Sequence, residues 1–507
     1  MNLSLGKTSK KLLSRRSFFD RLTDGIPGAA LLHLLERDLH GSAGFLGNEG
    51  RGHREGASLA YDVKPKMAHF EPRAKSVIHF FMNGGPSQVD LFDPKPQLDK
   101  HHGEPYLKNL DVADVQDPEQ AGSLMRSPYE FSRHGQAGIW LSEVLPHLAT
   151  QVDQIAVIRS LHTTTPDHLS ACYRIQSGRI FPGRPALGSW VVYGLGSENQ
   201  NLPAYVVLED PMGEPVNGSQ GWQQGFLPSI FQGTRVRSKG SPLLDLNPEV
   251  EEPSEFVQLG RELLSRLDRV HRNARSYQSR LDARIANYEL AARMQLAASD
   301  ALDLSQESSK TLEMYGVGEE ARYRGRLHPI SGPNSYARRC IMARRLVERG
   351  VRFVQIYVNT QIWDTHAHLE NDVRAACAKT DKPIAALIED LKQRGLLDST
   401  LLIWNGEFGR LPISQFQIAD AAAGRDHNPH AFSAWMAGGG IKPGTVYGST
   451  DDLGYRVAEN PVSVADWHAT ILHLLGLGYK ELFFEKNGLE ERLTSTFEPQ
   501  IVKGILA

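Results

Sequence analysis

Between residues 333 and 404 the sequence alternates between helix-like and strand-like segments. Two predicted helices, at 337–349 and at about 383–394, each end before a glycine and lead into a predicted strand, at 351–358 and at 400–404. A proline near a helix start and a glycine just past its end follow the usual preferences at helix termini. Strand–helix–strand units of this kind require a parallel sheet with right-handed crossovers. We therefore predict an α/β fold with a doubly wound, mainly parallel sheet flanked by helices.

The rest of the chain predicts further strands and a long helical insertion. Short apolar runs at 76–82, 155–158 and 202–208 are typical of buried strands. Between about 255 and 310, leucines recur at helical spacing among charged residues, which predicts about two amphipathic helices on the outside of the sheet. A final helix is predicted at 463–475.

The first 74 residues indicate export. Residues 14–21, Ser-Arg-Arg-Ser-Phe-Phe-Asp-Arg, resemble a twin-arginine signal, and a weakly apolar stretch follows them. The alternative is a basic amphipathic helix with a chance Arg-Arg pair. We predict a signal segment at 1–36, a flexible linker at 37–74 and one α/β domain at 75–490. The protein would then be periplasmic or extracellular, with the twin-arginine export machinery as a partner and no transmembrane segment.

The net charge and the cysteine content exclude some partners and some types of metal ligand. The formal net charge of −3 gives no basic field for nucleic acid, so we predict no nucleic-acid partner. The chain has only 3 cysteines, an odd and widely spaced set, which argues against a disulfide framework and against thiolate metal ligands. A metal site in this chain must therefore use histidines and carboxylates.

Such residues follow two consecutive predicted strands. Because ligands of parallel sheets lie beyond the carboxyl ends of the strands, these loops are the expected place for a site. The candidate metal ligands are Asp364, His366, His368, Glu407, Asp426, His427 and His430. Imidazole mixed with carboxylate suits a divalent metal, zinc above all, with manganese, calcium and magnesium as alternatives. The competing interpretations are a polar loop with helix-capping side chains and a structural Glu407–Arg410 pair.

Other polar residues near these loops are candidates for contact with a substrate. Arg410 is a candidate anion clamp, and Asn83 and Ser87, beside the Gly84-Gly85 turn, are candidate substrate-binding residues. The Gly-Gly pair is equally compatible with a plain tight turn.

In combination, several segments resemble the exported bacterial family of "domain of unknown function 1501", a sulfatase-like branch of the alkaline phosphatase superfamily. Besides the twin-arginine start, the matching segments are 81–95, 288–295, 363–366, 406–410, 424–428 and 466–472. The resemblance implies an α/β fold that binds divalent metal and a metal-dependent enzyme that cleaves phosphate or sulfate esters. Asp364 and His368 are similar to an Asp-x-x-x-His metal pair of that superfamily, with His366 as a competing ligand.

The chain also departs from that superfamily. Glu407-Phe408 stands where an Asp-His pair is expected, and since Phe cannot bind metal, Asp426-His427 is the candidate substitute. The sulfatase signature Cys/Ser-x-Pro-x-Arg is absent, so a formylglycine mechanism is not supported. His168 stands at the nucleophile position of the comparable helix, with Thr165 nearby, and both are candidate catalytic residues.

Two hypotheses follow. The first is an exported metal-dependent hydrolase of a phosphate or sulfate ester, either a small molecule or a polysaccharide. The second is a non-catalytic descendant that binds a metal or ligand and has lost the nucleophile.

Overall fold

The computed structural model describes residues 62–106, 119, 121–237, 253–274, 279–416 and 422–507. The predicted signal segment and residues 37–61 of the predicted linker lie outside these residues.

Strands and helices alternate through much of the described chain. The strands are β1 (Ser76–Phe81), β2 (Ala121–Leu124), β3 (Phe131–His134), β4 (Ile139–Ser142), β5 (Ile155–His162), β6 (Tyr205–Leu208), β7 (Thr234–Val236), β8 (Phe353–Tyr357), β9 (Thr400–Asn405), β10 (Gly409–Arg410), β11 (Ile413–Gln415), β12 (His427–Asn428), β13 (Phe432–Ala437), β14 (Thr445–Tyr447), β15 (Ser449–Thr450), β16 (Val457–Glu459), β17 (Val462–Ser463), β18 (Phe484–Lys486) and β19 (Leu489–Glu491). The α-helices are α1 (Gln88–Leu91), α2 (Pro96–Lys100), α3 (His168–Ser177), α4 (Leu187–Leu195), α5 (Ser254–Asn273), α6 (Ser279–Leu302), α7 (Ser309–Tyr315), α8 (Pro333–Glu348), α9 (Leu369–Gln393) and α10 (Val464–Leu474). Short 3-10 helices lie at Leu148–Gln154, Gly218–Trp222, Ser229–Phe231, Leu304–Gln306, Leu397–Ser399 and Lys503–Ile505.

The central sheet has the strand order β14-β5-β13-β9-β1-β8-β6-β7, and β17 also pairs with β5. All of its pairings are parallel except those of β13, which runs antiparallel to both β5 and β9. The last residue of β1, Phe81, is in register with Tyr357 of β8 and Asn405 of β9. The carboxyl ends of three neighbouring strands therefore meet at one point of the sheet edge.

The predicted fold class is confirmed: the sheet is largely parallel, flanked by helices, and carries the long helical insertion as α5 and α6. Side chains of β1 alternate between two apolar cores. Ile78 and Phe80 pack into one core and Val77 and Phe81 into the other. Such alternation, with both faces buried, is expected of a sheet that is covered by helices on both sides.

The prediction that a helix begins near Pro383 is wrong. The helix α9 begins at Leu369 and continues through Pro383 to Gln393. A proline inside a helix removes one backbone hydrogen bond and normally destabilises the helix. Here Val373, Leu387 and Ile388 are completely buried along the helix, and this tertiary packing outweighs the local preference.

Residues 62–74, which belong to the predicted linker, run along the body of the protein. The backbone N–H of Lys66 donates to Leu195 O at 2.9 Å, and that of Arg73 donates to Leu474 O at 2.8 Å. Among the helices of the described chain, none combines the length and apolar character that a membrane crossing requires.

Candidate metal centre

Four elements deliver side chains to the edge where β1, β8 and β9 end. Asp364 and His366 lie in the loop between β8 and α9, and Glu407 lies two residues after β9. His168 is the first residue of α3, which follows β5. His427 belongs to β12, which pairs antiparallel with β10 so that His427 is opposite Arg410. This short ladder carries an imidazole from a separate loop to the end of β9.

Backbone contacts hold the loop of Asp364 against the segment that precedes His427. The N–H of Arg425 donates to Thr365 O at 2.9 Å. Gly424 lies flat against His366, because a Cβ added at Gly424 would be only 2.1 Å from the carbonyl carbon of His366. The lack of a side chain at Gly424 thus permits the approach that places His366 beside His427.

Three imidazoles surround one carboxylate oxygen. Ligand atoms of His168, Asp364, His366 and His427 all lie within 4.8 Å of one another. The Nε2 atoms of His366, His168 and His427 are 2.9, 3.3 and 3.4 Å from Asp364 Oδ1. The Nε2 atoms of His366 and His427 are 2.8 Å apart. The cluster is open on one side, since the side chain of His366 is 26% exposed and that of His427 only 5%.

Neighbouring groups fix which ring nitrogens face the cluster. Nδ1 of His168 is 2.6 Å from Glu407 Oε1, and Nδ1 of His366 contacts Gln415 Oε1. Because both oxygens can only accept, each imidazole donates its Nδ1–H outward, and in the neutral tautomer its Nε2 lone pair faces inward. Nε2 of His168 is buried and has no hydrogen-bond partner among the described residues. Inward lone pairs beside a carboxylate repel one another unless a cation lies among them, so this donor set fits a divalent metal.

The contacts within the cluster also shift the pKa values of its members. Burial acts to raise the pKa of Asp364, but the charge of Arg410 and the three imidazoles outweigh it and hold the pKa far below its usual value. Burial acts to lower the pKa of His168, but Asp364 and Glu407 raise it overall. For His427, burial prevails and the pKa is well below its usual value. The raised pKa of His168 reflects a negative field that a metal cation would also neutralise.

Phe408 packs against two imidazoles, those of His168 and His427, whose ring centroids are themselves 4.3 Å apart. Its ring centroid lies 4.7 Å from that of His168 and 4.6 Å from that of His427, and the residue is completely buried. Phe408 therefore forms an apolar side of the cluster. The imidazole expected at its position from the sequence is supplied by His427 instead.

Arg410 is fully buried and binds the protein itself. Its guanidinium donates to Gly85 O at 3.0 Å, Arg425 O at 3.0 Å and Asp364 Oδ1 at 2.6 Å, and also to Gly84 O. The geometry thus assigns Arg410 to the backbone and to the Asp364 carboxylate, rather than to the bound anion that the sequence predicts.

The other candidate ligands lie outside the group of four. Glu407 is completely buried, and its Oε1 accepts hydrogen bonds from His168 and, at 2.8 Å, from Gly84 N. Asp426 Oδ1 accepts from the backbone N–H of His427 at 2.8 Å and is 3.9 Å from Nδ1 of His366. His368 does not share a helical face with Asp364, because His368 is the N-cap of α9 and the helix begins only at Leu369. The ring of His430 packs against Tyr455 at 5.6 Å.

The remaining candidates lie around the strand ends. Thr165 Oγ1 accepts from Asp167 N at 3.2 Å in the loop before α3. Ser87 is buried and donates to Asp90 Oδ2 at 2.5 Å. Asn83 is completely buried, and both polar atoms of its side chain are without a hydrogen-bond partner in the described part of the chain.

Gln415 is a site residue that the sequence did not indicate. It contacts His366 from β11, and its only sequence signal is its position five residues after Arg410 on a short strand-like run. A glutamine in such a run is usually an ordinary solvated residue, so the role becomes visible only when the loops are folded together.

No curated protein matches this chain. Among solved structures, the chain is similar to the sulfatase PsFucS1 from Pseudoalteromonas sp., with 13% identity over 80% of this chain and 68% of that one and a TM-score of 0.31. It is also similar to the phosphonate monoester hydrolase SpPMH from Silicibacter pomeroyi, with 12% identity over 80% and 73% of the two chains and a TM-score of 0.31. A TAB5 alkaline phosphatase mutant matches with 10% identity over 74% of this chain and 94% of that one, with a TM-score of 0.29. The model of the family described as "Protein of unknown function (DUF1501)" matches residues 74–506, and the chain therefore belongs to that family.

Proposed function

We propose that the protein is an exported, metal-dependent hydrolase of phosphate or sulfate esters. The observation that carries this proposal is the convergence of three imidazole nitrogens and one carboxylate oxygen at the carboxyl ends of parallel strands. The side chain of His366, at 26% exposure, leaves the cluster accessible from solvent. A site that is open on one side can admit a substrate, whereas a purely structural metal site is normally closed.

His168, Asp364, His366 and His427 would hold the metal, for which zinc is our first choice because the ligands combine borderline nitrogen with one oxygen. When bound, a divalent ion lowers the pKa of a nearby water or hydroxyl group and neutralises charge on the transferred group. Arg410 offsets the charge of the Asp364 carboxylate.

Two further side chains would orient the ligating histidines, and a third would exclude water from one side of the cluster. Glu407 orients His168 and Gln415 orients His366 through their Nδ1 atoms. Such outer contacts fix the tautomer and the ring orientation of a ligating histidine. Phe408 keeps water from the side of the cluster between His168 and His427.

The ester class and the location are supported by sequence. The segments shared with sulfatase-like proteins imply phosphate or sulfate esters, either of small molecules or of polysaccharides. The Arg15-Arg16 pair and the weakly apolar stretch that follows it support export through the twin-arginine machinery, to the periplasm or beyond.

A metal-stabilised protein without catalytic activity is the second candidate. It is favoured by the number of protein ligands, because four side chains can fill the coordination shell of a tetrahedral zinc ion. The hydroxyl group of Thr165 is also engaged in accepting a backbone hydrogen bond. In this case the metal would bind and stabilise the fold, but no ester would be turned over.

Metal analysis of the purified protein, combined with aryl phosphate and aryl sulfate assays, separates the two candidates. We expect bound divalent metal and turnover that chelation abolishes and metal restores. Asp364→Ala and His427→Ala should lose both, whereas His69→Ala, which removes an exposed histidine, should retain both. Metal binding without turnover of either ester class would favour the non-catalytic protein. A protein that binds no metal would refute both.

A further inference from the structure

The segment between α7 and α8 is bound at both ends to residues that flank the loop carrying Asp364 and His366. The backbone N–H groups of Arg326 and Leu327 donate to the carboxylate of Asp372 at 2.8 and 2.9 Å. Asn371 Nδ2 donates to Arg324 O at 2.7 Å. Asn371 and Asp372 lie in the first turn of α9, directly after the loop that carries Asp364 and His366. One end of the segment is therefore fixed beside that loop.

Its other end is fixed by residues near the carboxyl end of β8. Asn359, two residues after β8, donates to Pro329 O at 2.8 Å. Lys379 Nζ contacts Ser331 Oγ at 2.9 Å and Asn359 Oδ1 at 3.0 Å, and is neutralised by Asp210 at 2.7 Å. The side chains of both Lys379 and Asp210 are completely buried. Burying such a pair is costly unless its hydrogen bonds are satisfied, so the tether is a defined feature of the fold.

His328 lies between these two anchored ends. The imidazole is half-buried, and its Nε2 is buried without a hydrogen-bond partner in the described ranges. Its neighbours in the chain are bound to the first turn of α9 on one side and to Asn359, just after β8, on the other, so His328 lies beside the loop that joins β8 to α9. His328 is nevertheless outside the group of four ligand atoms. It therefore lies next to the loop that carries Asp364 and His366, without being one of the four candidate ligands.

We propose that His328 is a substrate-contacting residue, whose Nε2–H donates a hydrogen bond to an oxygen of the phosphate or sulfate group of the ester. This inference rests on the proposed hydrolase function and names a residue for its anion subsite. In the tautomer that carries its proton on Nε2, this buried N–H without a partner is unfavourable in the free protein and is satisfied when an acceptor arrives. Burial lowers the pKa of His328, which favours a neutral imidazole that donates from one nitrogen.

The test measures anion binding and turnover separately from metal binding. Metal-loaded wild type, His328→Ala and His328→Gln are titrated calorimetrically with inorganic phosphate, phenyl phosphate, inorganic sulfate and phenyl sulfate. Loss of one hydrogen bond should weaken anion binding about tenfold in His328→Ala. His328→Gln should retain most of the affinity, since its amide can donate from nearly the same place. Metal affinity and melting temperature should be unchanged in both variants, and KM for the aryl ester should rise more than kcat falls.

A matched control is His147→Ala. His147 is an exposed histidine, and its backbone N–H donates to Asp381. Asp381 lies about 18 Å along α9 from Leu369, the end of the helix that is near the cluster. The His147→Ala variant should leave anion binding unchanged. Equal anion affinity of His328→Ala and wild type, with metal bound in both, would overturn the role of His328 and leave the hydrolase proposal intact. Absence of metal from the wild type, or failure of the metal-loaded wild type to bind any of the four anions, would overturn both.

Discussion

Replacing Glu407 with glutamine tests whether this carboxylate orients a ligand or binds the metal directly. In the structure, Glu407 Oε1 accepts from Nδ1 of His168 at 2.6 Å and from Gly84 N at 2.8 Å, and it lies outside the group of four ligand atoms. Glu407→Gln preserves the size of the side chain and one acceptor oxygen but removes the negative charge. It therefore weakens the contact that would hold the Nε2 lone pair of His168 toward the proposed metal.

The expected loss is moderate. Hydrogen bonds to a charged group are about twice as strong as neutral ones, so weakening the contact with His168 removes about 1–1.5 kcal/mol. This corresponds to about tenfold in metal affinity, and outer-shell partners of ligating histidines typically contribute about 10–100-fold. If the carboxylate ligated the metal directly, its loss would weaken metal binding far more. We therefore expect Glu407→Gln to bind metal between about 10-fold and 100-fold more weakly than the wild type.

Competition titration with a chromophoric zinc chelator measures this difference. Glu143→Gln is a suitable control, because Glu143 pairs with Arg374 at 2.9 Å on the surface and its side chain is 41% exposed. The control should bind zinc like the wild type. Unchanged affinity in Glu407→Gln would contradict the orienting role. Complete loss of zinc, with the fold retained by circular dichroism, would show that Glu407 is a ligand.

Three further predictions concern stability. Arg410→Met removes the buried guanidinium that neutralises the Asp364 carboxylate and donates to several backbone carbonyls, and should lower the unfolding free energy by about 3–5 kcal/mol in guanidinium titrations; a loss below about 1 kcal/mol would contradict this role. Gly424→Ala should lower stability by about 1–3 kcal/mol and weaken zinc binding, because the added methyl group meets backbone at 2.1 Å, whereas Gly260→Ala, in open space, should do neither. Burial lowers the pKa of His468 from 6.5 to about 4. The unfolded chain therefore takes up the proton at higher pH than the folded protein, and stability present above pH 6.5 is lost as the pH falls toward 4. The difference in unfolding free energy between wild type and His468→Gln should change by about 3 kcal/mol between pH 7 and pH 4, and a constant difference would contradict the shift.

The parts of the fold that depend on local pattern could be predicted from the sequence. The strands β8 and β9 were predictable because each is an apolar run between a helix end and a polar loop. The start of α9 was not, because the packing of the whole helix, rather than the proline at 383, determines it. The wrongly predicted start of this helix also explains a wrong prediction about the site. An Asp364–His368 pair on one helical face presupposes a helix from residue 364, whereas the loop continues to His368 and turns His366 toward the cluster.

The pairing of β10 with β12 explains how the site accommodates Phe408 where a ligand is otherwise expected. In this ladder His427 is opposite Arg410, which itself donates to Asp364, so the register fixes the imidazole beside the carboxylate. A shift of one residue would place Asn428 or Asp426 there and turn the imidazole to the other face. Phe408 then packs against both His168 and His427, which is a contact that a hydrated ligand side chain could not make. Phe408, in place of a ligand, and His427, from a separate strand, therefore form one packed unit. Replacing Phe408 with a histidine would add a fourth imidazole to a space that is already filled, instead of restoring a missing ligand.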